Sequence, residues 1–315
     1  MTILDLSIVI VNWNTRKLLA DCLDSVARTV HGPTYEVIVV DNASTDGSVG
    51  MLREEYPGVR VIANDVNRGF GAANNQAFAV MAGRYALLLN TDTVLTDNAV
   101  AELYAFMESR PEAGMCCGQL LNADGSKQNS IATFPTLFTL LMNMSLLEYL
   151  LPRRYPSKRY RHEAPLEVDS GVGACLMIRV AAMDAVGWFD ERYFFFFEET
   201  DWAYRMQRGG WKVYHVPAAR IYHLQGQSIG PDVPSRIEFY RSRYQFFQKW
   251  HGPGYFALIR IVIFGRLLAN WLLTALAVIA TLGRSRRLRH KLAVYGALIV
   301  RHFRGSLSPG QGNPR

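Results

Sequence analysis

The first third of the chain alternates between short apolar runs rich in β-branched residues and longer segments whose apolar residues recur at helical spacing. The short runs predict strands and the longer segments predict helices. In chain order, strands are predicted at 6–11, 35–40, 59–63 and 85–89, and helices at 16–29, 48–56 and 72–82. This alternation is typical of an α/β fold with a mostly parallel sheet flanked by helices.

Polar residues directly follow three of these predicted strands. Asn12 and Asn14 come after the first strand, Asp41 after the second, and Asn90 and Asp92 after the fourth. In open parallel sheets, ligands bind outside the carboxyl ends of the strands. We therefore expect these side chains to share one site at that edge of the sheet.

The residue types at this edge suit a nucleotide and a cation. Asp92 offers carboxylate oxygens to magnesium or manganese, although Asn-Thr-Asp-Thr is also an ordinary turn sequence. Asp41 lies in a loop that can hydrogen-bond a base or ribose, or that merely caps the next helix. Arg68 lies beside two glycines and can contact a phosphate. The Gly-x-Gly-x-x-Gly spacing of dinucleotide sites is absent both here and after the first strand.

A carboxylate cluster occurs in the second half of the chain. Glu198, Glu199 and Asp201 follow four consecutive phenylalanines, where burial can raise a carboxyl pKa and create a general base. The alternative is a solvated acidic helix start, because acidic residues suit first helical turns. His223 is a lone histidine, and on its own it is more typical of a structural residue.

The regular alternation weakens beyond residue 110. An apolar stretch at 134–156 overlaps the start of a basic cluster, and we interpret this region as a mobile or membrane-facing insertion. The cluster consists of Arg153, Arg154, Lys158, Arg159 and Arg161. The pattern is dense again from residue 168, and we expect a globular domain at 1–250 followed by a helical tail at 251–315.

Charge is distributed unevenly along the chain. Residues 1–235 carry 20 basic and 26 acidic side chains, whereas residues 236–315 carry 14 basic side chains and one acidic one. Half of all residues are hydrophobic, which excludes a disordered chain. A basic, apolar tail behind an acidic body predicts a membrane surface as partner rather than nucleic acid.

The tail contains 17 uncharged residues between Arg266 and Arg284, with basic residues on both flanks. A single span would place one basic flank on the wrong side of the membrane. We therefore expect a helix lying in the membrane interface, with a buried bundle helix as the alternative. No basic region precedes the first strand, so we expect no signal peptide and a peripheral or monotopic protein on the cytoplasmic face of the plasma membrane. Four sparse cysteines, without metal-ligand spacing, are typical of a reducing compartment.

Nine short motifs follow one another over residues 5–250. They are I-V-I-V-N-W-N at 8–14, V-V-D-N-A-S-T-D-G-S at 39–48, N-R-G-F-G-A-A-N-N at 67–75, L-L-N-T-D-T at 88–93, G-A-C-L-M-I-R at 173–179, G-W-F-D-E at 187–191, F-F-E-E-T-D-W at 196–202, G-G-W at 209–211 and H-L-Q-G-Q-S at 223–228. Their order resembles that of the inverting family 2 glycosyltransferases, and is most similar to the rhamnosyltransferase-like branch. The resemblance implies the GT-A nucleotide-diphospho-sugar transferase fold.

The resemblance also implies how the donor and metal are bound. Asp41 would contact the nucleobase, and Asp92 would be the metal-binding carboxylate at the end of an Asp-x-Asp-type motif. Asn90 stands where the first acidic residue of that motif often is, which leaves fewer charges for the metal. His223 matches a histidine that completes metal or diphosphate coordination. The residues expected to bind the donor are Asn12, Asn14, Asp41, Arg68 and Asn90.

The same resemblance suggests the catalytic base and the acceptor site. Glu199 occupies the second position of the family's Glu-Asp motif, where the base is usually aspartate, so either Glu199 or Asp201 is expected to be the base. Gly173 and Ala174 match the turn that lines the acceptor site. The base would deprotonate an acceptor hydroxyl, whose oxygen then attacks the anomeric carbon with inversion.

The implied reaction transfers a sugar from a nucleotide-sugar donor, with magnesium or manganese, to a lipid-linked or other saccharide acceptor in cell-surface polysaccharide synthesis. The first donor to consider is dTDP-L-rhamnose, followed by UDP-sugars including UDP-galactofuranose. One alternative is a catalytically silent sugar-nucleotide-binding or scaffold protein, which Asn90 and Glu199 would suit. A sugar-nucleotide pyrophosphorylase is a second alternative, but it should begin with a glycine-rich, basic phosphate loop rather than Asn-Trp-Asn.

Overall fold

The computed structural model describes residues 4–224 and 233–304, which contain eleven strands and eleven helices. The strands are β1 Leu4–Asn12, β2 Tyr35–Asp41, β3 Arg60–Ala63, β4 Gly83–Asn90, β5 Thr93–Leu95, β6 Ala113–Leu121, β7 Ile131–Ala132, β8 Leu166–Glu167, β9 Ser170–Gly171, β10 Cys175–Arg179 and β11 Lys212–His223. The helices are α1 Arg16–Thr29, α2 Ser48–Glu55, α3 Phe70–Phe78, α4 Ala99–Ser109, α5 Leu137–Leu141, α6 Met144–Leu150, α7 Val180–Val186, α8 Glu198–Arg208, α9 Val233–Trp250, α10 Pro253–Ala280 and α11 Arg286–Phe303.

One mixed sheet organises the N-terminal part, with strand order β3-β2-β1-β4-β10-β6-β11-β5, and β8 also pairs with β11. The first four strands in this order are parallel, as the alternating sequence predicts. The predicted α/β class is therefore confirmed. The predicted elements recur with small shifts, of which the largest is in α3, predicted at 72–82 and observed as Phe70–Phe78.

Side chains that alternate along the central strands fill two cores, one on each face of the sheet. In β1, Ile8 and Ile10 enter one core while Val9 enters the other. Residues from α1, α2 and α4 cover the first core, and residues from α3, α7 and α8 cover the second. Burial on both faces explains why β1 and β4 read as continuous apolar runs.

Five later strands complete the sheet, and the alternating pattern did not predict them: β5, β6, β8, β10 and β11. β10 runs antiparallel between β4 and β6, and β11 runs parallel to β6 over most of its length. The pairing of β10 with β4 places Cys175 opposite Leu89, so the turn before β10 arrives beside the end of β4. This antiparallel insertion brings the turn at 173–174 to the edge where polar residues follow the parallel strands.

The described chain folds into two compact units. The first comprises residues 4–134, 145–194 and 198–224, and the second comprises 135–144, 195–197 and 233–304. In the second unit, buried residues of α9, α10 and α11 pack together with Leu140 of α5. The expected boundary at residue 250 therefore falls inside this unit, because α9 packs on the helices that follow it. The apolar insertion at 134–156 contains α5 and α6 and is divided between the units.

Candidate active site

The ends of β1, β2 and β4 are joined by a buried polar network. The Asn12 amide donates to Asp41 Oδ1 at 2.7 Å and to Ser44 Oγ at 3.0 Å. Asn12 Oδ1 accepts from Thr15 Oγ1 at 2.7 Å, and Thr15 Oγ1 lies 2.9 Å from Thr91 Oγ1. The structure thus brings together the three polar loops that the sequence places at one edge.

Asp41 and Asn14 hold the loop after β2. Asp41 is almost fully buried, and its second carboxylate oxygen accepts from the Ser44 backbone N–H at 2.9 Å. Asn14 is exposed, and its side-chain oxygen accepts from the Thr45 N–H at 2.7 Å. Both carboxylate oxygens of Asp41 therefore accept hydrogen bonds from neighbouring protein groups, and the contact of Asp41 with a nucleobase stays a prediction.

The loop that carries Arg68 is fixed by its backbone. Asn42 donates its side-chain amide to Gly69 O at 3.1 Å, and Phe70 N donates to Phe194 O at 2.9 Å. Gly69 has a positive φ of 84°, and a Cβ there would come within 2.5 Å of Phe194 O, so only glycine fits. The Arg68 side chain is left exposed beside the polar network, where a phosphate can reach it.

The Asn-Thr-Asp sequence at the end of β4 is hydrogen-bonded to the predicted acceptor turn. The backbone N–H of Asn90 donates to Ala174 O at 3.0 Å, and Asn90 O accepts from Thr93 Oγ1 at 2.7 Å. Asp92 is buried and points across to β11, where His223 Nε2 lies 3.4 Å from Asp92 Oδ1. The two residues predicted to bind a metal are therefore adjacent.

Gln128 determines which nitrogen of His223 carries the proton. Its side-chain Nε2 donates to the His223 carbonyl oxygen at 2.6 Å, which turns its Oε1 toward His223 Nδ1 at 2.9 Å. Since Oε1 only accepts hydrogen bonds, Nδ1 must be the protonated nitrogen. In a neutral His223, Nε2 then presents its lone pair toward the Asp92 carboxylate.

This pair fits a divalent cation. Two electron-rich atoms that face each other are stabilised by a positive charge between them, and a histidine that donates its other N–H is the usual arrangement of a metal ligand. Among residues 4–224 and 233–304, no cluster of three or more His, Cys, Asp and Glu side chains is arranged for a metal. Two protein ligands suit magnesium or manganese, which commonly complete their coordination with water and substrate phosphates.

Glu199 stands at the start of α8, facing the predicted acceptor turn. A Cβ built on Gly173 would lie 3.8 Å from Glu199 Cγ, which is ordinary contact distance. Its Oε2 is buried without a hydrogen-bond partner among the described residues. Burial raises the pKa of Glu199 to about 7, against a smaller lowering by backbone N–H groups at the helix start. A carboxylate with this pKa is suited to accept a proton near neutral pH.

Asp201, the other candidate base, is committed to an ion pair. It is fully buried, and Arg205 Nε donates to its Oδ2 at 3.0 Å. The remaining Arg205 nitrogens donate to backbone carbonyls of Val186, Gly187 and Trp188. Asp201 therefore orients an arginine that holds the loop after α7.

Sequence reasoning missed Gln128 and Arg205, and it did not assign a role to Asn42. Gln128 lies 95 positions from the histidine that it orients, and no motif links the two. Arg205 follows Asp201 at i+4 in α8, and this helical spacing was the available signal for the ion pair. Residues 225–228 of the motif at 223–228 lie outside the described residues.

Known proteins are similar to this chain in sequence and in fold. The profile of the family described as "Glycosyl transferase family 2" matches residues 7–187. A relative from Mycobacterium tuberculosis, N-acetylglucosaminyl-diphospho-decaprenol L-rhamnosyltransferase, is 31% identical over 303 residues, covering 91% of this chain and 97% of the relative. Rhamnosyltransferase WbbL from Escherichia coli is 25% identical over 197 residues, covering 60% of this chain and 72% of the relative.

A solved structure supports the fold independently. The mannosyltransferase PcManGT from Pyrobaculum calidifontis, in complex with GDP-Man and Mn²⁺, superposes with a TM-score of 0.58 at 16% identity, covering 98% of this chain and 88% of that one. Its likeness identifies the sheet and helices as a GT-A glycosyltransferase fold. The family profile covers more than half of the chain and the mycobacterial relative nearly all of it, so the chain belongs to glycosyl transferase family 2.

Proposed function

We propose that this protein is an inverting glycosyltransferase that moves a sugar from a nucleotide-sugar donor to a lipid-linked saccharide acceptor. The observation that carries the proposal is that Glu199, whose pKa is raised, lies beside Gly173. The next residue, Ala174, accepts a hydrogen bond from the backbone N–H of Asn90, which leads into the turn that holds Asp92. In this proposal the base, the acceptor turn and a diphosphate-binding carboxylate share one edge of the sheet.

Glu199 acts as the base in this proposal. Its buried Oε2 accepts the proton of an acceptor hydroxyl held over Gly173 and Ala174, and the acceptor oxygen then attacks the anomeric carbon of the donor. The bond from that carbon to the diphosphate breaks as the new glycosidic bond forms, so one displacement inverts the centre. Asp201 is a positioning residue, since Arg205 already occupies its carboxylate.

Asp92 and His223 would hold a divalent cation at the donor diphosphate, with Gln128 keeping His223 in the required tautomer. Such a cation would neutralise the charge that develops on the leaving diphosphate. The exposed Arg68 would offer a further phosphate contact. The network around Asn12 and Asp41 shapes the loops that receive the nucleoside.

The sugar and acceptor are proposed from the relatives. The mycobacterial relative is named as an L-rhamnosyltransferase acting on N-acetylglucosaminyl-diphospho-decaprenol, and the Escherichia coli relative is also named as a rhamnosyltransferase. We therefore place dTDP-L-rhamnose first among donors and a polyprenyl-diphosphate-linked saccharide first among acceptors, with UDP-sugars as the competing donors.

The second unit is proposed to bind the membrane that carries such an acceptor. Within the described residues, α10 is the one helix long and apolar enough to cross a membrane. One stripe of α10, formed by Ile259, Ile263 and Leu267, is buried within the unit, whereas Leu273 and Ile279 are largely exposed. Basic residues cluster at the start of α11. This combination of an exposed apolar face and basic flanks suits a helix lying among anionic headgroups.

Membrane extraction tests whether α10 lies in the interface. A helix bound at the surface is held by headgroup attraction as well as by apolar burial, and salt weakens the first of these. We expect high salt followed by alkaline carbonate to release a substantial part of the protein from isolated membranes. Complete retention through both washes would indicate a spanning helix instead.

A donor screen tests the proposed function. Purified full-length protein is given dTDP-L-rhamnose or a UDP-sugar, a polyprenyl-diphosphate-linked acceptor, and buffer with or without Mn²⁺. We expect release of nucleoside diphosphate and a product of inverted anomeric configuration with one donor, and only with the cation. Donor binding without transfer to any acceptor would contradict the proposal and favour a silent sugar-nucleotide-binding protein.

Replacing Gln128 tests how the metal pair is oriented. Gln128→Ala removes the acceptor for His223 Nδ1–H, so either nitrogen can carry the proton. We expect the dissociation constant for Mn²⁺, measured by electron paramagnetic resonance, to rise by about 10–100-fold. Gln128→Glu keeps an acceptor at the same place and should retain more affinity than Gln128→Ala. Equal Mn²⁺ affinities for the wild type and Gln128→Ala would show that Gln128 does not orient His223 for metal binding.

A further inference from the structure

The first unit contains an open pocket that the proposed donor and base sites do not use. It has a cavity volume of about 120 Å³ and is formed by residues 131–133, the turn after α6, and the segment before β9. Arg153 and Arg154 from that turn line one wall, and Asp169 lines another. Arginine is the side chain best suited to phosphate groups, and two consecutive arginines line this pocket.

The charged residues around this pocket leave a net positive charge that can attract an anion. Arg154 lies 3.6 Å from Asp169 Oδ1, and Asp169 Oδ2 accepts from the Phe134 N–H at 3.0 Å. Glu167, the other acidic lining residue, pairs with Lys212 at 3.0 Å. Both carboxylates are thus compensated, whereas Arg153 makes no ion pair with any residue that the structure describes. Three more basic side chains follow before residue 162, and no acidic one does.

An exposed apolar surface adjoins the two arginines. Tyr149, Leu150 and Leu151, at the end of α6, are 78%, 59% and 49% exposed. The Leu151 carbonyl accepts from the backbone N–H groups of Arg154 at 3.0 Å and of Tyr155 at 2.9 Å, and Tyr155 is buried. The turn therefore fixes the guanidinium-bearing residues next to exposed leucines. Apolar side chains beside arginines suit a lipid whose headgroup is an anion.

The pocket is connected to the environment of Glu199 by two segments. Gln207, near the end of α8, lines the pocket and donates to Val168 O and Asp169 O at 3.0 and 3.1 Å. It lies eight residues after Glu199 in the same helix, which corresponds to about 12 Å. The strand β9 also leads from Asp169 to Gly173. A ligand anchored in the pocket can therefore present a sugar toward the base.

We propose that this pocket binds the diphosphate of a polyprenyl-diphosphate-linked acceptor, with Arg153 and Arg154 on the phosphates and the exposed end of α6 on the first isoprenoid units. The assignment rests on the proposed function for its acceptor class. It adds a second anion site, separate from the donor diphosphate site at Asp92.

The experiment measures binding of full-length protein to vesicles, without donor. Phosphatidylcholine vesicles are compared with the same vesicles that contain a small fraction of polyprenyl-diphospho-N-acetylglucosamine, and with vesicles brought to equal charge by phosphatidylglycerol. The variant is Arg153→Gln with Arg154→Gln. The control is Arg28→Gln with Arg53→Gln, which removes two exposed arginines from α1 and α2.

We expect the affinity gained from the diphosphate lipid to fall at least tenfold in the pocket variant, since charge-assisted hydrogen bonds are lost. The control should keep that gain, and phosphatidylglycerol vesicles should bind all three proteins equally. An unchanged gain in the pocket variant would overturn the assignment. An equal loss on phosphatidylglycerol would also overturn it, because the arginines would then serve anionic lipid in general.

Two further measurements keep the outcome interpretable. Arg153→Gln alone leaves the pair between Arg154 and Asp169 intact, so it tests the pocket even if the double variant is less stable. Because the binding assay needs no turnover, a wild-type protein that binds the diphosphate lipid but transfers no sugar contradicts the proposed function and leaves the pocket supported. Transfer with an unchanged acceptor KM in the variants overturns the pocket and leaves the proposed function supported.

Discussion

Replacing Glu199 with glutamine is expected to lower kcat by roughly 10²–10⁴-fold while leaving donor affinity unchanged, because a positioned general base contributes about that much. The substitution keeps the size of the side chain and removes only its ability to accept the proton. Stopped assays of nucleoside diphosphate release give kcat, and a titration with donor gives the affinity. Full activity in Glu199→Gln would exclude Glu199 as the base.

The pH dependence of the wild type provides a second test of Glu199. The base works when deprotonated, and burial raises its pKa to about 7, so kcat should rise as pH increases through that value. Glu199→Gln should lose this limb of the profile. A raised carboxyl pKa also means that the folded state binds the proton more tightly than the unfolded chain does. The contribution of Glu199 to stability therefore falls as pH rises from about 4.5 to 7, and Glu199→Gln should melt at a higher temperature than the wild type at pH 8.

Asp201→Asn is the matched control for the neighbouring carboxylate. It removes the charge that pairs with Arg205 in a buried environment, where breaking one partner of an ion pair costs about 3–5 kcal/mol. We expect a lower melting temperature with the pH profile of the remaining activity preserved. Loss of that pH dependence in Asp201→Asn, with Glu199→Gln unaffected, would transfer the role of base to Asp201.

The parallel half of the sheet could be predicted from sequence because its strands are buried on both faces. Residues such as Ile8, Val9 and Ile10 must all be apolar when alternate side chains enter two different cores, and this produces an unmistakable run. The polar ends of β1, β2 and β4 could be placed together for the same reason, since parallel strands end at one edge. The observed hydrogen bond between Asn12 and Asp41 shows that the ends of β1 and β2 lie side by side, while ligand binding at this edge stays a prediction.

Other features depend on pairings between distant parts of the chain. The short strand β10 is antiparallel and lies between β4 and β6, and no local pattern specifies that position. The assignment of α9 to the second unit depends on a cluster of buried side chains from distant parts of the chain, which includes Tyr244, Ile263 and Leu298. The sequence also left Glu199 and Asp201 equivalent as candidate bases. The structure distinguishes them, because Asp201 is paired with Arg205 whereas Glu199 lies beside Gly173 with a buried Oε2 that has no hydrogen-bond partner in the described part of the chain. The roles of the individual site residues were predicted from the family resemblance, because no local pattern specifies them.

Asp92→Asn is expected to reduce metal-dependent transfer by about 10³-fold or more, since several kcal/mol of charge stabilisation depend on the cation and each 1.36 kcal/mol is tenfold in rate. Asn90 already lacks a charge, so Asp92 is the acidic residue of the Asn-Thr-Asp-Thr sequence. The replacement keeps the turn between β4 and β5 and leaves His223 facing a neutral amide. Turnover is measured across a Mn²⁺ titration, with metal affinity followed by electron paramagnetic resonance.

The size of the loss of turnover in Asp92→Asn distinguishes two ways of stabilising the leaving diphosphate. If the cation supplies most of the positive charge, Asp92→Asn should lose both Mn²⁺ affinity and turnover, and excess Mn²⁺ should restore part of the rate. If protein side chains such as Arg68 supply it instead, the rate of Asp92→Asn should stay close to the wild type, and removal of metal by a chelator should do little. Asp65→Asn, at an exposed position in the loop after β3, removes an equal charge and should leave both quantities unchanged. A wild-type rate in Asp92→Asn would therefore reject the metal site formed by Asp92 and His223 while leaving the role of Glu199 intact.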